Sequence, residues 1–277
     1  MSLEYFYITN DADIAKACER AGVDRIFIDM EYIGKSQRQG GLDTVQNHHT
    51  IEDVKNIRAA INKSKLLVRV NPIHDGSENE INTVINAGAD FIMLPMWKSA
   101  KEVKTFYEIV GGRVKTILLL ETDEARNCLD EVIKLDGVDE IYIGLNDLHL
   151  SQHKKFMFEL YTDGTVDEIV SKLKSANIKF GVGGVGKVNC NNLLPAENVL
   201  CEHYRLGSSM VILARAFCDY TKYSVEEFEQ IMTAGIAENR MFEKTLELEN
   251  KDFFDNIHTN TTNIINDILD ARGIVQQ

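Results

Sequence analysis

The chain has 277 residues, 44% hydrophobic and 26% charged, a balance expected of a soluble globular protein with a core of ordinary size. Its formal net charge of −13 at pH 7 argues against nucleic acid and anionic membranes as partners, because both need clustered Lys and Arg. Five scattered cysteines (Cys18, Cys128, Cys190, Cys201, Cys218) form no C-x-x-C pair, and the N-terminus lacks the basic and apolar regions of a signal peptide. No run reaches the roughly 18 apolar residues of a membrane span. A cytoplasmic protein with reduced thiols is the expectation.

Read in order, apolar or β-branched runs occur at Tyr5–Thr9, Arg25–Met30, Leu66–Val70, Phe91–Met96, Thr116–Leu120, Glu140–Gly144, Ile178–Val182 and Met210–Leu213. Most are almost continuously hydrophobic, as strands buried on both faces of a parallel sheet must be. Helical segments lie between them. Asp11, Thr50 with Asp53, Ser99 and Thr122 stand at N-cap positions, and Gly22, Gly88 and Gly111 at C-terminal ends. Eight alternating units predict a (β/α)8 TIM barrel over residues 1–222. The rival, an open doubly wound sheet, is disfavoured because the alternation never breaks for a linker and prolines number only three.

Residues 223–277 form a C-terminal helical extension. Ser224 followed by Glu227 is a capping-box start. One helix runs to about Asn250 and a second from Asp252 to Arg272, with apolar stripes at Phe228, Ile231 and Met232 and at Ile264, Ile265, Ile268 and Leu269. One helix closes the barrel; the surplus is expected to pack on a neighbouring subunit or back on the barrel.

In such a barrel the active site lies at the C-terminal ends of the strands. Strand two delivers Asp29 and Glu31 there, strand three Arg69 and Asn71, strand five Glu121, and strand six Asn146 and Asp147 after a Gly-Leu-Asn turn. Two carboxylates on one rim suit a hard divalent cation with open positions, and an arginine beside them can stabilise charge developing on a substrate oxygen. An acid just after a strand often only caps the next helix, but Thr122 already supplies that cap after Glu121. Arg69 lies inside the apolar run LLVRV, where a charge needs a buried partner. Gly181–Gly186 fits G-x-G-x-x-G, yet it follows the seventh strand rather than the first, so a tight loop over the barrel mouth is expected. His203 and Arg205 read as structural.

Arg69 in VRVNP, the segment GADFIMLPM, Glu121 in LLLET and Asp147 in IGLNDL together resemble the HpcH/HpaI aldolase and citrate-lyase β-subunit family of the phosphoenolpyruvate/pyruvate barrel superfamily, over roughly residues 20–215. The resemblance implies a Mg²⁺- or Mn²⁺-dependent carbon–carbon lyase of the class II aldolase type, making or breaking a 2-oxo acid through a pyruvate enolate. It implies Glu121 and Asp147 as metal ligands, and Gly144, Asn146, Asp147 and Arg69 as the substrate-binding set. Arg69, Glu31 and His49 are the implied catalytic residues, within a homo-oligomer (dimer or hexamer). The chain departs from the pattern at Tyr32, where the family usually has His, at Leu119, where Gln is frequent, and at Asn86, where Asp is common. The loop Glu31–Thr50 holds Lys35, Arg38, His48 and His49, and one of the two histidines could replace the missing base. These departures suggest altered groups for the second substrate. They leave open a hydrolase or condensing enzyme on the same site, or a barrel kept only for binding.

Overall fold

The computed structural model describes residues 2–34 and 49–271; Lys35, Arg38 and His48 fall outside these. Strand and helix alternate as β1 (Glu4–Ile8), α1 (Ala12–Ala21), β2 (Arg25–Asp29), α2 (Ile51–Ala60), β3 (Lys65–Arg69), α3 (Ser77–Asn86), β4 (Phe91–Leu94), α4 (Ala100–Val110) and β5 (Lys115–Leu120). Two short helices follow, α5 (Asp123–Asn127) and α6 (Leu129–Val132), then β6 (Glu140–Ile143). Beyond it come α7 (Leu145–Ser151), α8 (Glu159–Thr162), α9 (Thr165–Ser175), β7 (Lys179–Val185), α10 (Ala196–Leu206) and β8 (Met210–Leu213). Two long helices end the chain, α11 (Val225–Leu246) and α12 (Lys251–Ala271). All eight strands pair in parallel, and β8 closes on β1.

The helix starts follow from their caps. Asp11, Ser99 and Thr122 each accept backbone N–H groups of the first turn, while Thr50 and Ser224 form reciprocal capping boxes with Asp53 and Glu227. Gly22 and Gly111 close their helices in the left-handed conformation.

The period of two along each strand sorts the barrel interior into layers. Glu4, Arg25, Glu140 and Lys179 point inward at the N-terminal end and form one ion-pair cluster, Arg25 donating to Glu140 Oε2 at 2.6 Å and to Glu4 Oε2 at 2.9 Å. Above them Phe6, Phe27, Leu67, Met93, Ile117, Leu119, Tyr142 and Met210 fill the middle. A second core lies between the strands and the surrounding helices. The third inward layer, at the C-terminal end, belongs to the site.

The glycine run after the seventh strand is not a loop. Strand β7 continues through it to Val185, with a register shift between Gly181 and Gly184 against β8. The reason is the size of its neighbours. A Cβ on Gly181 would lie 2.3 Å from Met210 Cγ and 2.5 Å from Tyr142 Cε2, so only glycine lets those side chains fill the interior. Gly183 adopts φ +50°, and the Tyr142 hydroxyl donates to its carbonyl while accepting from Ile212 N at 2.8 Å. The bulge is thus held by a buried tyrosine.

Helix α11 packs against α1 and α10 and closes the helical ring. Its Glu243 accepts from Leu3 N at 3.0 Å and from the Tyr5 hydroxyl. Helix α12 lies on α10 and α8 of its own barrel. There Asn198 Nδ2 donates to Thr261 Oγ1 at 2.9 Å, and His258 Nδ1 sits 2.8 Å from Glu202 Oε1. Arg205 ties Glu202 to Asp167, at 2.7 and 2.6 Å. His203 is buried, its ring nitrogens have no hydrogen-bond partner among the described residues, and burial drops its pKa to about 3. No described helix is long and apolar enough to cross a membrane.

Candidate active site

At the C-terminal mouth of the barrel lies a cavity of about 400 Å³. The strands place its chemistry by parity. Asp29 on β2 is two residues above Phe27, Arg69 on β3 two above Leu67, and Glu121 after β5 two above Leu119. Each therefore repeats the inward direction of the residue below it, one layer higher. All three line the cavity, with Gly144, Asn146 and Asp147 beyond β6.

Asp29 and Arg69 are register partners, and Arg69 Nε and Nη2 each donate to a different Asp29 oxygen at 2.8 Å. This is the partner that a charge inside LLVRV required. Glu31, buried just past β2, has Oε2 3.5 Å from Arg69 Nε. The fork is thus anchored along its Nε–Nη2 edge, while Arg69 keeps 14% side-chain exposure beside the cavity. Burial alone would lower its pKa, but the charges of Asp29, Glu31 and Glu121 outweigh burial and raise it.

Glu121 caps nothing. Thr122 Oγ1 accepts from Ala125 N at 3.0 Å and is the cap, whereas Glu121 Oε1 accepts from Met96 N at 3.1 Å. Met96 reaches it in the left-handed region at φ 51°, so β4 ends at Leu94, two residues short of the expected Met96. Pro95, which has no N–H to give a ladder, marks that end. Gly144 lies against the acid: an added Cβ would be 2.9 Å from Glu121 Cβ. Burial pushes the Glu121 carboxyl well above the ordinary carboxylate range, and the charges of Asp147 and then Glu31 push it further; Arg69 and the Met96 N–H oppose them.

Asp147 stands in the first turn of α7, because the Gly-Leu-Asn segment is helical from Leu145 rather than an open turn. Four carboxylates (Asp29, Glu121, Asp147, Asp219) face two guanidiniums (Arg69, Arg215) among the described lining residues. Among the described residues no group of three or more His, Cys, Asp or Glu is arranged to hold a metal. Glu121 and Asp147 are the two acids of this rim that could hold a hard ion whose remaining positions water and substrate would fill.

Other expected residues stand elsewhere. Glu31 and His49 do not line the cavity. His49 Nδ1 accepts from Asp29 N at 3.0 Å, which leaves Nε2 as the protonated nitrogen of the neutral ring. Asn71 braces the chain after β2, its Oδ1 accepting from Tyr32 N and Ile33 N at 3.0 Å each and its Nδ2 donating to Glu80 at 2.8 Å. Tyr32 is 65% exposed. Asn86 is exposed at the C-terminus of α3, at the end of the barrel away from this cavity. Leu119 does line the cavity.

Sequence reasoning missed Tyr142, Arg215, Asp219 and Thr221, all on the cavity wall. Arg215 has a signal in the sequence, since it follows β8 by two residues, at the end where barrel strands deliver site residues. Tyr142 had none, being one apolar residue in an apolar strand.

A sequence profile of the HpcH/HpaI aldolase/citrate lyase family matches residues 3–180. No curated protein sequence matches the chain. Among solved structures, an HpcH/HpaI aldolase from Desulfitobacterium hafniense DCB-2 aligns at TM-score 0.59 and 14% identity, covering 83% of this chain and 93% of the other. An HpcH/HpaI aldolase/citrate lyase family protein from Burkholderia cenocepacia J2315 aligns at TM-score 0.59 and 17% identity, covering 82% and 94%. The citrate synthase SbnG aligns at TM-score 0.57 and 15% identity, covering 87% and 94%. At such identities the structural likeness is one of fold. The profile match spans well over half of the sequence, and on that ground this (β/α)8 barrel belongs to the HpcH/HpaI aldolase/citrate lyase family.

Proposed function

We propose that the chain is a divalent-metal-dependent carbon–carbon lyase that makes or breaks a 2-oxo acid through the enolate of pyruvate. One observation carries the reading: a buried Glu121 and a half-buried Asp147 share a cavity rim with an arginine held by its own carboxylate partner. Glu121 and Asp147 would hold Mg²⁺ or Mn²⁺, which when bound supplies Lewis-acid polarisation of a 2-oxo acid.

The rest falls to the chain itself. Arg69 stays charged, and its place beside the cavity lets it stabilise negative charge on the substrate oxygen as the carbon–carbon bond breaks. The Asp29 pair fixes the guanidinium in advance, so little reorganisation is needed at the moment of reaction. Gly144 and Asn146 border the position the substrate carboxylate would take. Glu31 and His49 act from outside the cavity by positioning the Asp29–Arg69 pair, Glu31 from 3.5 Å of Arg69 Nε and His49 by accepting from Asp29 N. Titration calorimetry with Mg²⁺ tests the first step. Binding by the native chain and its loss in both Glu121→Ala and Asp147→Ala are expected; unchanged affinity in both variants would sink the proposal.

A further inference from the structure

The third inward layer of the barrel is divided. Strands β2, β3 and β5 deliver Asp29, Arg69 and Glu121 to the cavity, whereas β8 and β1 deliver Ile212 and Ile8. Between these arcs β7 adds only Gly183 and Gly184. The floor below is Phe27, Met93 and Leu119, the last 4% exposed. The same side also carries polar groups, but the hydroxyls of Tyr7, Tyr142 and Thr221 donate to Cys218 O, Gly183 O and Asp219 Oδ1, and Arg215 and Asp219 lie on the connection after β8, with Arg215 exposed at the mouth.

A three-carbon oxo acid between Arg69 and the Glu121–Asp147 pair leaves the Ile8–Ile212 side of the cavity for the second reactant. Polar groups there would lose water without gaining partners, while a hydrocarbon group would replace water at an apolar wall. We propose, resting on the function given above, that this wall is the acceptor subsite and that the acceptor is an aldehyde with an alkyl or aryl substituent, not a charged or polyhydroxylated one. In the forming direction, C3 of pyruvate loses a proton and its electron pair makes the new bond to the aldehyde carbon. The carbonyl pair of the aldehyde moves to oxygen, which takes up one proton. The product is a 4-hydroxy-2-oxo acid with an apolar tail, and no oxidant or reductant enters.

Two measurements on the full chain test this separately. Calorimetry with 1-propanol to 1-hexanol, set against glycerol and succinate, reads the wall without turnover. The expected result is affinity rising about three- to fourfold per methylene, as burial of each CH₂ predicts, with no binding of glycerol or succinate. Leu119→Gln and Ile212→Thr should each weaken alcohol binding. The second measurement gives kcat/KM for pyruvate with pentanal, glyceraldehyde and an aldehyde carrying a terminal carboxylate, alongside deuterium exchange at C3 of pyruvate. Exchange with pentanal preferred supports the assignment. Exchange with the carboxylated aldehyde preferred, and that preference lost in Arg215→Ala, overturns it and leaves the lyase reading intact. Absence of exchange with the alcohol series still binding overturns the lyase reading and keeps the apolar subsite; flat alcohol affinities overturn the subsite.

Discussion

Asp29 and Arg69 face each other across the β2–β3 register, both point into the barrel, and two 2.8 Å hydrogen bonds lock the guanidinium at the cavity edge. Removing the acid leaves a poorly solvated cation. Asp29→Ala should lower stability toward the lower end of about 3–5 kcal/mol, the usual cost of breaking a buried pair, because Glu31 at 3.5 Å still compensates in part. Urea unfolding with an unchanged slope checks it, and a loss below about 1 kcal/mol, the worth of an exposed pair, would mean that solvent reaches the pair freely.

The raised pKa of Glu121 has a definite sign in stability. The folded chain keeps this proton to higher pH than the unfolded chain, so its contribution to stability is full below the ordinary carboxylate pKa. It is lost as pH rises through the folded-state value. Without metal, the native protein should lose stability as pH rises above the ordinary carboxylate range, and Glu121→Gln should remove much of that loss. Thermal unfolding in chelator follows both. Parallel curves for the two proteins would show that Glu121 ionises as easily as an exposed acid.

The β7 bulge makes a packing prediction. Gly181→Ala puts a methyl group 2.3 Å from Met210 Cγ, and overpacking of this kind costs about 1–3 kcal/mol. Tyr142→Phe removes a hydrogen-bond partner from the Gly183 carbonyl and the Ile212 N–H, both half-buried at the cavity, at about 1 kcal/mol for each hydrogen bond lost. Because the sites touch, the double variant should cost less than the two singles added.

The barrel was legible in the sequence for physical reasons. Strands buried on both faces are apolar throughout, and the caps Asp11, Thr50, Ser99, Thr122 and Ser224 mark helix starts with side-chain oxygens that bond in the structure. Arg69 was legible as an anomaly, a charge in an apolar run whose partner is Asp29. The glycine run misled because a permissive backbone says nothing about why it is needed; here Tyr142 and Met210 demand it across the sheet. Met96 looks like strand in the sequence because its left-handed turn serves a hydrogen bond to Glu121, distant in sequence. The apolar arc of Ile8 and Ile212 stayed hidden for a similar reason: an isoleucine in a strand looks the same whether it faces a packed core or a cavity.

The C-terminal helix gives a fourth prediction. Glu202, 1% exposed, accepts from Arg205 and pairs with His258 of α12. Glu202→Ala should loosen α12 and speed its limited proteolysis while the barrel strands stay protected from hydrogen exchange. Equal proteolysis rates would show that Ile265 and Leu269 hold the helix without the polar network.

The most direct measurement of the central claim is deuterium exchange at C3 of pyruvate, followed by proton NMR in the presence of Mg²⁺ or Mn²⁺. Exchange is expected in the native protein, dependent on added metal and abolished in Glu121→Gln and Asp147→Asn. Arg69→Leu should reduce it about 100- to 1000-fold, the loss typical of removing one group that stabilises a developing oxyanion. Exchange that persists in chelator, or that survives both carboxylate substitutions, would contradict the account.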